Sequence, residues 1–314
     1  MFSYIVTGGA GFIGSNIVKH LVSHGHKVKV IDNLSTGKRY NLDSIIDDIE
    51  FIEGDIRDSG MLLREFKGFD YISHQAALPS VARSVANPYE SFESNVMGTL
   101  NVLSSAVNVG IKRVVFASSS SIYGNSPKLP KCEEDPVNPM SPYAVSKYAA
   151  ERLTVQYHNF FSLETVALRY FNVFGPFQDP ESQYAAVIPR FITSVLLNKS
   201  PVIYGDGNQS RDFTYIENVV DANLKALSSP GISGEVFNIA CNERFSLIDI
   251  IDYLSKISGV EVKPIFEEER KGDVKHSLAS IEKSGVRFGY KPRISFKEGL
   301  EKTFKWFQEM KKEG

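Results

Sequence analysis

The stretch Ser3-Tyr4-Ile5-Val6-Thr7-Gly8-Gly9-Ala10-Gly11-Phe12-Ile13-Gly14 joins an apolar run to a glycine-rich turn and then to a helix, and its reading decides the fold. Ser3 to Thr7 reads as a buried strand. Phe12 to His24 is amphipathic, with Ile13, Ile17, Leu21 and Val22 on one face, and Gly25 stops it. Between the two, Gly8, Gly11 and Gly14 allow a tight turn and a close approach of the backbone to a pyrophosphate at the helix N-terminus. The spacing is GxxGxxG, and such a triplet alone is equally a turn without a ligand. Asp32, 18 residues beyond Gly14 at the end of a second apolar run, adds a carboxylate that accepts hydrogen bonds from an adenosine ribose and repels a 2′-phosphate. The pair predicts a dinucleotide, NAD rather than NADP, although Lys38 and Arg39 are close enough in sequence to meet a phosphate.

Outward from this unit the chain alternates strands and helices. Val28–Ile31, Glu50–Glu53, Asp70–His74, Arg113–Ala117 and Glu164–Tyr170 read as further strands. Helices are expected from Asp58, as N-cap, to about Lys67, from Pro88 to near Gly110, and from Tyr143 to about Phe161. Right-handed crossovers then imply a doubly wound parallel sheet of order 3-2-1-4-5-6, a Rossmann-type α/β fold. After about Gly175 the rhythm breaks: Pro176, Pro180 and Pro189 fall close together, and Gly205-Asp206-Gly207-Asn208 reads as a turn. Helices are expected at 187–198, 217–228, 246–257 and 296–311. The expected organisation is a dinucleotide-binding domain over 1–175, to which a segment near 213–241 returns, and a smaller α+β substrate domain over 176–314.

Composition narrows the function. Lys plus Arg number 35 and Asp plus Glu 37, a net charge of −2 that does not favour nucleic acid as a partner. No apolar run approaches the ~20 residues that span a bilayer, so no membrane association is expected and a cytoplasmic enzyme is the default. Cys132 and Cys241 have no paired spacing, and no metal site is expected. His20 and His24 stand four apart, but on the polar side of an amphipathic helix with no carboxylate motif beside them.

Chemistry is carried by Tyr143-Ala144-Val145-Ser146-Lys147, which places a phenol and an ammonium on one helix face. The lysine charge, with a nicotinamide cation, is expected to lower the phenol pKa towards neutrality and make it a base. Ser118-Ser119-Ser120-Ser121 follows the fifth strand at the sheet edge where ligands of this architecture bind; a polar loop is the plain alternative.

With these residues in place, the chain resembles the extended short-chain dehydrogenase/reductase family over nearly its whole length. The likeness runs through the 8–14 loop, Asp32-Asn33-Leu34-Ser35-Thr36-Gly37, Asp55-Ile56, His74-Gln75-Ala76-Ala77, Asn95, Tyr123-Gly124, Tyr143 with Lys147, Arg169-Tyr170-Phe171-Asn172, Arg211-Asp212-Phe213 and Arg270-Lys271-Gly272-Asp273. Within the family it is similar to nucleotide-sugar 4-epimerases, particularly those handling UDP-N-acetylglucosamine. The resemblance implies Ser119, five residues before Gly124, as the catalytic serine beside Tyr143 and Lys147. It assigns NAD contacts to Gly8, Gly11, Phe12, Ile13, Gly14, Asp32, Asn33, Ser35, Thr36 and Gly37. Further NAD contacts are Asp55 and Ile56 at the adenine, Gln75, Ala76, Ala77, Asn95, Ser118, Tyr143, Lys147, Tyr170 and Val173. Substrate contacts are Ser80, Val81, Ser119, Ser120, Tyr143, Asn172, Ala186, Val187 and Tyr204. Arg211 and Arg270 are assigned to the diphosphate, Asp273 to the uridine ribose and Ser277 to the region of the sugar C2 substituent. The family commonly pairs its long helices, here 88–109 and 142–161, so a homodimer is expected.

The implied reaction is transient oxidation at C4 of a UDP-hexose and its reversal on the other face. Family dehydratases carry an Asp-Glu pair where this chain has Ser120-Ser121. UDP-glucuronate 4-epimerases usually carry an arginine after Phe-Gly-Pro, where this chain reads Phe177-Gln178-Asp179-Pro180. A tyrosine in place of the small Ser277 confines such enzymes to UDP-glucose and UDP-galactose; the alternative is that Ser277 only caps a helix near Ala279. UDP-glucuronate epimerisation, another NAD-dependent modification of a nucleotide-sugar, and a non-catalytic dinucleotide-binding regulator remain the competing readings.

Overall fold

The computed structural model describes residues 2–180, 186–269 and 275–313. Strands β1 (Ser3–Thr7), β2 (Lys27–Asp32), β3 (Glu50–Glu53), β4 (Tyr71–His74), β5 (Arg113–Ser119) and β6 (Glu164–Tyr170) pair in parallel in the order 3-2-1-4-5-6. Three short pieces, β7 (Val173–Phe174), β8 (Val202–Tyr204) and β9 (Ser210–Arg211), and then β10 (Thr214–Tyr215), follow outside the sheet. The chain then returns: β11 (Glu235–Ile239), within the 213–241 segment expected to come back to this unit, adds a seventh parallel strand beside β6 that the sequence reading does not name.

Alternation along β1 shows why the sheet is covered on both faces. Tyr4 and Val6 pack with Ile17 and Leu21 of α1 (Phe12–Ser23), whereas Ile5 packs with Leu62 of α2 (Ser59–Glu65) on the other face. Each fully buried Ile or Leu stabilises the fold by about 1.5–3 kcal/mol. Asp58 caps α2 as expected, its side chain accepting from Met61 N at 2.9 Å.

Between β4 and β5 the chain differs from one uninterrupted helix. A short α3 (Val81–Ala86), capped by Ser80, precedes α4 (Pro88–Phe92); a π-helical turn over Glu93–Met97 then leads into α5 (Gly98–Val109). That turn holds Asn95, whose amide pairs with both backbone groups of Leu78 (2.7 and 3.2 Å) and donates to Ser146 at 3.0 Å. It fixes the loop after β4 against α6 (Pro142–Phe161), the helix that carries Tyr143 and Lys147.

The later α-helices are α7 (Val187–Leu196), α8 (Ile216–Ser228), α9 (Leu247–Ser258), α10 (Glu282–Phe288) and α11 (Phe296–Glu313). Helix α8 packs beside α1, while α7, α9 and α11 share one apolar cluster with it. No described helix is long and apolar enough to cross a membrane.

Candidate active site

The C-terminal ends of the central strands open onto a cavity of about 410 Å³, lined by Gly8, Gly11, Phe12, Ile13, Gly14, Asp32, Asn33, Ser35, Thr36, Ile56, Gln75, Ala76, Ala77, Ser80, Ser118, Tyr143, Lys147 and Tyr170 among others. A Cβ added at Gly14 would lie 2.1 Å from the Gly8 carbonyl oxygen, so α1 can start this close to the turn only with glycine there. No side chain caps α1, and its first residues border the cavity, presenting unpaired N–H groups and the positive end of the helix dipole to an anion. Asp32 is buried, its two oxygens accepting from Ala10 N (2.9 Å) and Leu34 N (2.8 Å); burial raises its pKa and these N–H groups oppose the rise. An anion-binding helix end beside a fixed carboxylate suits the pyrophosphate and ribose of NAD.

Tyr143 and Lys147 face the same cavity from α6. Ser119, at the end of β5, caps the short 3₁₀ turn Ser120–Tyr123 and donates to Ser121 Oγ at 2.9 Å; its hydroxyl also sits against the Tyr143 phenol and favours the ionised form. The expected lowering of the phenol pKa is not supplied by the protein. Burial raises Tyr143, and Lys147 is itself pushed down to about 7 by burial, so near neutrality its charge is only partly present. The Lys147 ammonium lies 4.3 Å from the Phe116 ring centroid and has no hydrogen-bond acceptor among the described residues. A buried cation without an acceptor at a cavity wall fits the hydroxyls of a ribose.

Asn172, Val173, Ala186, Val187, Tyr204 and Arg211 line an adjoining cavity of about 260 Å³, and Ala186 borders both. Arg211 crosses onto the 275–277 segment, donating to Lys275 O at 2.9 Å, and Asn172 donates to Ser277 Oγ at 3.2 Å. Ser277 does not cap a helix: α10 begins at Glu282 with Ile281 at its cap position. Its oxygen accepts from Asn172 and from Asp212 N, which leaves the hydroxyl proton to donate elsewhere.

Some expected residues stand apart. Ser118 borders the first cavity, yet its hydroxyl donates away from it to Glu151 at 2.6 Å. Asp55 lies off the lining; Arg57 and Asn33 bind its carboxylate and hold its pKa near 2, leaving Ile56 as the wall residue. Asn95 acts through Leu78, and Gly37 packs so tightly on Asp32 that a Cβ there would lie 2.8 Å from both carboxylate oxygens. Val81, Ser119, Ser120 and Ser277 line neither cavity, and Arg270 and Asp273 lie outside the described residues. Residues the sequence did not single out also line the walls: Arg83 at the first cavity, Arg190 and Gln209 at the second. Asn223 of α8 donates to the Tyr170 phenol oxygen at 2.8 Å, a contact that no motif signals.

The family model for the NAD dependent epimerase/dehydratase family matches residues 4–240. The chain belongs to this family. Among its relatives, the UDP-glucose 4-epimerase of Mycolicibacterium smegmatis is 37% identical, with 97% of this chain and 98% of that protein covered. Among solved structures, the UDP-N-acetylglucosamine 4-epimerase of Methanobrevibacter ruminantium, in complex with UDP-N-acetylmuramic acid, superposes with a TM-score of 0.94 at 41% identity, covering 98% of this chain and 99% of that one. The Thermus thermophilus UDP-glucose 4-epimerase in complex with NAD gives a TM-score of 0.88 at 36% identity, covering 98% and 99%. The cofactor of this chain is NAD.

Proposed function

We propose that this enzyme, an NAD-dependent UDP-sugar 4-epimerase, inverts C4 of UDP-N-acetylglucosamine and also takes UDP-glucose, as a cytoplasmic protein. The observation that carries the substrate reading is Ser277: small, bonded to Asn172 beside the second cavity, and with a proton left to donate to an acetamido carbonyl.

Bound in the first cavity, NAD supplies a reversible hydride acceptor for the sugar C4. Tyr143, as phenolate, takes the proton of the 4-hydroxyl, and the Ser119 hydroxyl bonds the same sugar oxygen. Lys147 supports the phenolate by its charge and holds the nicotinamide ribose. Tyr170 is fixed beside that end of the cavity by Asn223 and Gln75. Arg211, with Arg270 by the family likeness, keeps the diphosphate anchored while the 4-keto sugar turns over, and Asp273 holds the uridine ribose. Tyr143 then returns the proton to the inverted alcohol. By the family likeness, uronate enzymes usually carry an arginine after Phe-Gly-Pro, where this chain has Phe177-Gln178-Asp179, so a uronate does not meet that arginine here.

We assign the homodimer contact to α4–α5 and α6, which leave Tyr89, Phe92, Val145 and Phe160 exposed. The test of function is separate incubation with UDP-glucose, UDP-N-acetylglucosamine and UDP-glucuronate, with products resolved by chromatography. Conversion of both neutral sugars is expected; turnover of the uronate alone, or of none, overturns the reading.

A further inference from the structure

Glu151 lies on α6 one turn beyond Lys147 and is completely buried, yet the reaction as set out makes no use of it. Its carboxylate is fully engaged. Oε1 accepts from Arg169 Nη2 at 2.8 Å, and Oε2 accepts from Arg169 Nε at 2.9 Å and from Ser118 Oγ at 2.6 Å. Arg169, beside Tyr170 on β6, donates its other nitrogen to the Tyr123 hydroxyl at 2.7 Å and the Glu133 carbonyl at 3.1 Å. Tyr123 donates in turn to Asn238 of β11 at 2.7 Å. One chain of contacts therefore ties α6, the end of β5, the turn after Ser119, β6 and β11 together behind the reacting groups.

A buried ion pair is a poor source of stability, because its desolvation offsets most of its attraction and well-packed apolar side chains do as well or better. Its directional bonds do what apolar packing cannot. They fix Ser118, the residue before Ser119, and they keep a carboxylate near the Lys147 ammonium, whose charge it favours. We propose that the Glu151–Arg169 pair is a positioning unit for the catalytic groups, holding the strand end that presents Ser119 and setting the charge balance around Lys147. The proposal rests on the reading of Ser119, Tyr143 and Lys147 as the catalytic residues.

Lys147 is faced by Tyr143 and Glu151 from its own helix, and by His74 from β4, which burial keeps neutral with a pKa of about 3. Glu151→Gln removes the negative charge and leaves Arg169 positive, so Lys147 gives up its proton more readily and the phenolate loses support. The acid limb of kcat then moves up by about one pH unit, and kcat near pH 7 falls about tenfold at unchanged KM. Adding Arg169→Gln restores local neutrality and brings the limb back. The test compares kcat and KM against pH for both variants, on UDP-glucose and UDP-N-acetylglucosamine, with bound NAD quantified after denaturation. An unshifted limb in the single variant, or no return in the double variant, overturns the charge role. Should Glu151→Gln fail to fold, Ser118→Ala keeps the pair and its charge; kcat is then expected to fall severalfold with the limb unmoved, and wild-type kcat overturns the positioning role. Tyr143→Phe run alongside separates the two claims. Activity in that variant removes the catalytic reading itself, whereas its inactivity together with an unaffected Glu151→Gln removes only the positioning unit.

Discussion

Replacing Lys147 by methionine should move stability and activity in opposite directions. The ammonium is buried over the Phe116 ring, and burial lowers its pKa from 10.5 to about 7. At 1.36 kcal/mol per pH unit, that fall corresponds to a folding penalty of about 5 kcal/mol. The folded pKa lies below the unfolded one, so between about pH 7 and pH 10.5 the unfolded chain binds the proton more tightly than the folded chain. The penalty is therefore complete below about pH 7 and fades as pH rises towards 10.5. Methionine keeps most of the apolar stem and discards the charge, losing the contact with Phe116, worth about 0.5–2 kcal/mol. NAD-stripped Lys147→Met should thus exceed NAD-stripped wild type by about 2–5 kcal/mol near pH 7, and the gap should shrink near pH 10. Turnover should fall by at least ~10²-fold, as expected where support of a general base is lost. Urea unfolding of both stripped proteins at the two pH values measures the gap. A variant no more stable than wild type near pH 7, or a gap that ignores pH, refutes the reasoning.

Tyr143→Phe should lower turnover by about 10²–10⁴ while leaving NAD bound, and near-normal rates would sink the proposed base. Asp32→Ala leaves the N–H groups of Ala10 and Leu34 without their acceptor; it should cost about 1–3 kcal/mol and lower the NAD content of the purified protein, and unchanged content would show that the ribose contact lies elsewhere. Ser277→Tyr should abolish turnover of UDP-N-acetylglucosamine and spare UDP-glucose, since only the acetamido sugar meets the added ring; equal loss on both sugars would remove Ser277 as the gate.

The sheet order and most of the wall of the first cavity were legible because they depend on local signals: strand–glycine–helix at 3–14, an acid closing β2, and a tyrosine and lysine one turn apart on α6. What escaped depends on contacts between distant segments. β11 is a five-residue strand, and its membership of the sheet follows from pairing with β6 some 70 positions earlier, at Glu235 with Val166. The π turn at 93–97 carries ordinary helix-forming residues, and its purpose shows only when Asn95 is found holding Leu78. Ser118 sits in a polar run that looks like a ligand loop, and only the fold reveals Glu151 behind it. The protein's own share in the phenol pKa was hidden for a related reason: spacing shows that a lysine is near, but not that burial raises the phenol and lowers the lysine.

The late return of β11 has a consequence for how the chain is made. Until residue 239 has left the ribosome, β6 has one unpaired edge, with the backbone groups of Val166 to Tyr170 waiting for a partner more than sixty positions downstream. A protein cut after residue 175 would keep the whole glycine loop, Asp32, Tyr143 and Lys147, and would still expose a buried-type strand to its neighbours. Such a fragment is expected to aggregate rather than persist as a small cofactor-binding unit, because the strand that closes the sheet lies beyond the substrate-side loops.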